Sequence, residues 1–210
     1  MDNRGTRCIC RGTLDYSLTL QRQTRRERLD KMKHLKEIYL STFSGKKFYP
    51  FNPSPEQIEI VDIAHGLSMV CRFSGQCPYF YSVAEHCIHV TNALPPSLKL
   101  EGLLHDASEA YLADLPKPVK MGLRDYSLLE TQVETVIAEK FNLACPTPSE
   151  VKSADLTMLK QEIFSFFGPA RYSEDFQDPP GQSQHFSGFE PQVAEGKFLE
   201  LFCSLALASR

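Results

Sequence analysis

The chain has 210 residues, 42% of them apolar, and a formal net charge of −3. That is enough material for one domain with a buried core, or one domain plus an arm, and it excludes global disorder. No apolar run reaches the length of a membrane-spanning helix, no signal-peptide core opens the chain, and the slight acidity excludes a protein that coats nucleic acid with its whole surface.

The charge is unevenly spread. Residues 1–36 carry ten Lys/Arg against four acids, a net +6, while the other 174 residues carry −9. The first stretch therefore reads as a basic, solvated extension, which takes nucleic acid as its partner if it takes any. Met32 is an alternative natural start, which would leave the residues before it outside the native protein. Cys8-Ile9-Cys10 has no second thiol or imidazole pair nearby and makes a poor zinc motif. Seven cysteines without a disulfide-framework spacing fit a reducing cytoplasm. Residues 37–210 form the domain proper.

Residues 43–57, with Gly45, Pro50, Pro53 and Pro55, read as an extended loop. From Ile58 the apolar spacing becomes helical through Val61, Ala64, Leu67 and Met69, ending near Arg72. Ser82-Val83-Ala84-Glu85 is a capping box, and behind it Val83, Cys87, Val90 and Leu94 form one apolar stripe. A third helix is predicted from Ser97 to Ala113, stopped by Asp114-Leu115-Pro116, and a fourth by the spacing Tyr126, Leu129, Val133, Ile137 and Phe141. Thr147-Pro148-Ser149-Glu150 is a second capping box, with Pro at the first helical position. Residues 172–190 read as a long polar loop, and a last helix spans about 192–208. With no repeat and no convincing strand pattern, the fold class is all-α.

The chemistry starts from Asp155. Val151, Ala154, Met158 and Leu159 surround it on the apolar face of its own helix. An ionised carboxylate there needs a cationic partner, either a Lys or Arg or a metal ion. His105-Asp106 follows Leu103-Leu104 in the third helix, and His86 borders the stripe of the second. Two imidazoles and two carboxylates from three helices suit Co²⁺, Mn²⁺, Fe²⁺, Zn²⁺ or Mg²⁺ and leave positions open for water and a phosphate oxygen. His65 and His89 lack comparable placement and read as structural or surface residues.

His86, then His105-Asp106, then Asp155 resembles the H…HD…D signature of the HD-domain phosphohydrolase superfamily. The stretches YSVAEHCIHV, GLLHDASEAYLADLPKPVK and VKSADLTMLKQE are similar to small bacterial 5′-deoxynucleotidases and phage-type HD hydrolases, including dATP triphosphohydrolases. The similarity covers about residues 42–167 and leaves out the basic arm. It implies a compact helical bundle around a central site for one divalent metal, held by His86, His105, Asp106 and Asp155, in an enzyme that is commonly a homodimer. By the same resemblance Glu109 positions or deprotonates the attacking water, and Asp114 serves proton transfer. Arg72 grips phosphate, and Lys120 adds a further cation. Phe73 stands where deoxyribose-selective relatives place a Trp, so strict rejection of ribonucleotides does not carry over.

The function so implied is a cytoplasmic, metal-dependent 5′-deoxynucleotidase, converting a deoxynucleoside monophosphate to deoxynucleoside and phosphate. Its alternatives are a dNTP triphosphohydrolase that releases tripolyphosphate and a non-catalytic nucleotide-binding regulatory module.

Overall fold

The computed structural model describes residues 33–177 and 185–208. Two units divide the chain, 1–38 and 39–210. Of the first, residues 33–38 are described and 33–35 are helical. The rest of the basic arm, with Met32 and Cys8-Ile9-Cys10, lies outside the described residues.

The second unit is all-α apart from a small hairpin. Leu40–Ser41 (β1) pairs antiparallel with Lys47–Phe48 (β2), a local feature inside a stretch that the proline content marks as irregular. The helices follow as Ile60–Met69 (α1), Val83–Asn92 (α2), Lys99–Leu104 (α3), Glu109–Leu112 (α4), Lys117–Lys120 (α5), Arg124–Phe141 (α6), Ser149–Asp175 (α7) and Pro191–Ala208 (α8). None of the described helices is long and apolar enough to cross a membrane.

Helix α2 lies at the centre and contacts α1, α3, α7 and α8. Its stripe of Val83, Cys87, Val90 and Leu94 is buried as the spacing predicts. Burial extends almost all round the helix, so that Glu85 and His86 are fully enclosed as well. The main core combines Ile63, Ala64 and Leu67 of α1 with Val83, Ala84 and Cys87 of α2, Leu103 of α3, Val133 of α6 and Phe198 of α8. Val61 and Met69, expected on the apolar face of α1, are 37% and 55% exposed. Ile63 is fully buried instead, on a helix that packs against α8.

Three predicted boundaries change. The helix expected over 97–113 is two short helices, α3 and α4, joined by turns at 105–108. The second capping box does not form: Pro148 occupies the N-cap without a side-chain bond, and Ser149 Oγ donates instead to Glu150 Oε2 at 3.0 Å. Helix α7 also runs past Tyr172 to Asp175, bent where Gly168 takes φ +81° ahead of Pro169. That backbone conformation suits glycine, and proline suits the first turn that follows it.

A close approach sets the spacing of α1 and α4. A Cβ on Gly66 would meet the Cβ, Cα and carbonyl oxygen of Ala110 at 2.9–3.0 Å. Gly66→Ala is therefore expected to separate these helices and cost about 1–3 kcal/mol in denaturant unfolding. Ala110→Gly should recover part of that loss; no recovery would show that the strain lies elsewhere.

Candidate metal centre

Three elements bring the four predicted ligands together. His86 comes from buried α2, His105 and Asp106 from the turn that interrupts the expected third helix, and Asp155 from α7. His86, His105 and Asp106 each offer a ligand atom within 4.8 Å of the others, a group that can hold a metal ion. Asp155 Oδ1 completes the cluster, 3.1 Å from His86 Nε2 and 3.8 Å from His105 Nε2. Asp106 Oδ2 is 3.7 Å and 3.2 Å from the same two nitrogens.

The burial expected of Asp155 is only partial. Its side chain retains 40% exposure and Asp106 22%, so the carboxylates form the solvent side of the site and the imidazoles its floor. The apolar neighbours of Asp155 support its helix without enclosing the acid.

Both imidazoles are oriented from behind. His105 Nδ1 donates to the carbonyl of Gly102 at 2.8 Å, and His86 Nδ1 donates to Glu162 Oε1 at 2.6 Å. Each ring therefore turns Nε2 toward the two aspartates, the orientation that metal ligation requires. His105 Nε2 is buried and makes no hydrogen bond. Around an ion with metal–ligand bonds of about 2.1 Å, neighbouring ligands lie about 3.0–3.4 Å apart. The observed 3.1–3.8 Å separations match that with little adjustment. The donor set fits a divalent ion.

Glu162 is the residue that motif reasoning missed. Its carboxylate has no solvent exposure and accepts from His86 Nδ1, from Tyr81 OH at 2.8 Å and from Arg72 Nη2 at 3.1 Å. Burial opposes its ionisation, but Arg72 and His86 hold it below the usual glutamate range. The available signal was its position seven residues after Asp155, two turns along the same face of α7.

Arg72 reaches the site because backbone pairing of Cys71 with Ser82, and the bond from Arg72 N to Tyr81 O at 2.9 Å, fix it beside the start of α2. Its guanidinium spans Glu162 and Asp106, the latter at 3.6 Å, and its buried Nε has no hydrogen-bond partner. Phe73 follows in a left-handed conformation, φ 55°, with its ring edge-on to Phe166 and Phe167. Lys120 pairs with Glu130 at 2.6 Å.

Glu85 corrects the first capping box. Ser82 Oγ accepts from Glu85 N at 3.1 Å as predicted, but the Glu85 carboxylate turns away from the helix start. It accepts instead from the backbone N–H groups of Ser187, Gly188 and Phe189 at 2.7–3.1 Å. It therefore anchors the segment expected to be only a polar loop.

The electrostatics divide the acids into two kinds. Burial works against ionised Asp106, yet His105 and His86 bring it down to about 2. Asp155 is likewise held well below the carboxylate range by the same imidazoles. Glu109 opens α4 and is 7% exposed; burial, then Asp106 and Asp114, push it up to about 9. Burial also raises Asp114, with Asp106 adding to the effect. A dication beside these acids would draw their protons off.

The fold and site thus define an all-α protein with two imidazoles and two carboxylates gathered where a metal ion can be held. No family profile matches the chain. It is 44% identical over 124 residues to the uncharacterized protein YfdR of Escherichia coli strain K12, an alignment covering 59% of this chain and 70% of that protein. It is 35% identical over 130 residues to the uncharacterized protein RCAP_rcc00048 of Rhodobacter capsulatus, covering 57% of this chain and 66% of that one. The chain belongs to the YfdR family.

Two substitutions test this description. Glu162→Gln removes the charge that orients His86 and should weaken Mn²⁺ or Zn²⁺ binding about 10–100-fold by calorimetric titration. Glu109→Gln should stabilise the metal-free protein. A glutamate pKa raised from 4.5 to about 9 makes the fold lose stability as pH rises between those values, and glutamine stays neutral throughout. The gain should be near zero at acid pH and about 1–2 kcal/mol at the alkaline end, read as a melting shift of about 2–4 °C per kcal/mol.

Proposed function

We propose that the protein is a metal-dependent phosphohydrolase of nucleotides, acting as a 5′-deoxynucleotidase on deoxynucleoside monophosphates. The observation that carries this reading is the convergence of two Nε2 atoms, each set from behind by an acceptor on Nδ1, with two ionised aspartates and a buried glutamate one turn away. The resemblance of His86, His105-Asp106 and Asp155 to the HD signature supports it.

His86, His105, Asp106 and Asp155 would hold one divalent ion, Co²⁺, Mn²⁺, Zn²⁺, Fe²⁺ or Mg²⁺. When bound, it supplies Lewis acidity to a phosphate oxygen and makes neighbouring water a better nucleophile. Glu109, ionised in that state, accepts the proton of the attacking water as the new P–O bond forms. Asp114 relays that proton to the departing 5′ oxygen as the old P–O bond breaks, giving deoxynucleoside and orthophosphate. Arg72 offers its guanidinium to the phosphoryl oxygens.

The charge balance favours a monophosphate. Arg72 is already committed to Glu162 and Asp106, and Lys120 to Glu130. What these pairs leave of Arg72, together with one dication, matches one dianionic phosphate better than a triphosphate tail.

Product analysis checks the proposal. The protein is stripped, reloaded with each ion and offered deoxy- and ribonucleoside mono- and triphosphates. Orthophosphate from deoxynucleoside monophosphates is expected, with Asp106→Ala and Asp155→Ala lowering turnover at least about 100-fold. Tripolyphosphate from a dNTP would replace the reading with a triphosphohydrolase. Tight nucleotide binding without turnover on any ion would replace it with a regulatory module.

A further inference from the structure

Beside the metal centre lies a cleft of about 330 Å³, between the end of α3, helix α6, the segment 143–148 and the first turn of α7. His105 and Ser108 line it, so it adjoins the cluster directly. The volume falls in the about 300–1,000 Å³ range of small-molecule sites. Glu101, Thr131, Glu134 and Lys152 supply further polar groups, and most of the remaining lining is aliphatic or proline.

The α6 wall of this cleft is built from acceptors. Thr131 and Glu134 are three residues apart, neighbours on one helix face. The Thr131 hydroxyl spends its single proton on the carbonyl of Ser127 at 3.0 Å, which leaves its oxygen lone pairs for a ligand. Glu134 is exposed and has no hydrogen-bond partner among the described residues; burial and Glu130 raise it, Lys120 and Lys152 act the other way, and in its ionised form it offers acceptors only. An N–H donor seated against this exposed wall finds matching acceptors. A carbonyl edge there would face acceptor against acceptor.

We propose that this cleft seats the nucleoside part of the substrate and that Glu134, with Thr131, selects bases carrying an exocyclic amino group over their keto counterparts. The inference rests on the phosphohydrolase reading for the phosphate end and adds the base end. Adenine and cytosine present an amino donor where hypoxanthine and uracil present a carbonyl with a ring N–H beside it, so the two pairs read whether the wall meets the exocyclic position.

The experiment compares kcat/KM for dAMP against dIMP and for dCMP against dUMP in the metal-loaded full-length protein. Calorimetric binding of the four free deoxynucleosides is measured alongside. Wild type should favour each amino partner about tenfold in both readouts. Glu134→Ala should collapse the ratios to within twofold, and Glu134→Gln, whose amide can turn its NH2 to a keto oxygen, should lower them too while keeping binding of both partners closer to wild type. Equal values for amino and keto partners in wild type would overturn the proposal, as would an undiminished ratio in Glu134→Ala. Hydrolysis of p-nitrophenyl phosphate, which has no base, reads the phosphate chemistry separately. If wild type hydrolyses neither it nor any nucleotide with any ion, the phosphohydrolase reading fails, and the deoxynucleoside binding ratios still decide the cleft.

Discussion

Much of the site hangs on one buried carboxylate. Glu162, enclosed completely, is met by an imidazole, a phenol and a guanidinium, all from the segment 72–86. Burying such a charge costs several kcal/mol unless its lone pairs are satisfied, and here three donors do so. The same contacts orient His86 and hold Arg72 against Asp106. Tyr81 completes the support: its ring packs against Phe166 and Phe186, so the aromatic cluster stiffens the hydrogen-bond network. Helix α7 supplies both Asp155 and Glu162, which makes its docking on α2 a condition for any metal site.

Around this anchor the acids are held in opposed states. Asp106 and Asp155 stay ionised because two imidazoles face them, while Glu109 is pushed toward its neutral form by burial, then by Asp106 and Asp114. The cluster therefore holds two carboxylates and a raised Glu109 in a partly enclosed space and leaves His105 Nε2 without a hydrogen bond. Functional sites are places where such costs are tolerated, and a bound dication would relieve both. The close contact of Gly66 with Ala110 holds α4, and hence Glu109, tightly against α1.

Individual residues show what could be read from sequence and what could not. The four ligands were legible because each combines a ligating side chain with an apolar context, and the structure gathers them. The break between α3 and α4 was not, since residues 105–108 contain neither Gly nor Pro and the apolar spacing runs through them. Glu85 was misread for a related reason. A capping box is a local pattern, but its carboxylate found three backbone donors 102–104 residues away. Arg72 was legible as a site residue, though its ion pairs with Glu162 and Asp106 were not.

By itself the sequence determined the helical class, the buried stripe of α2, the long helices α6 and α8, and the identity of the four candidate ligands. Those properties depend on spacing along one helix, or on the chemistry of single side chains. Only the tertiary structure decided that Glu162 stands behind His86, that Asp155 faces solvent and that the Thr131–Glu134 wall borders the site. Each of these depends on how separate elements dock, and docking distances are set by packing across the chain.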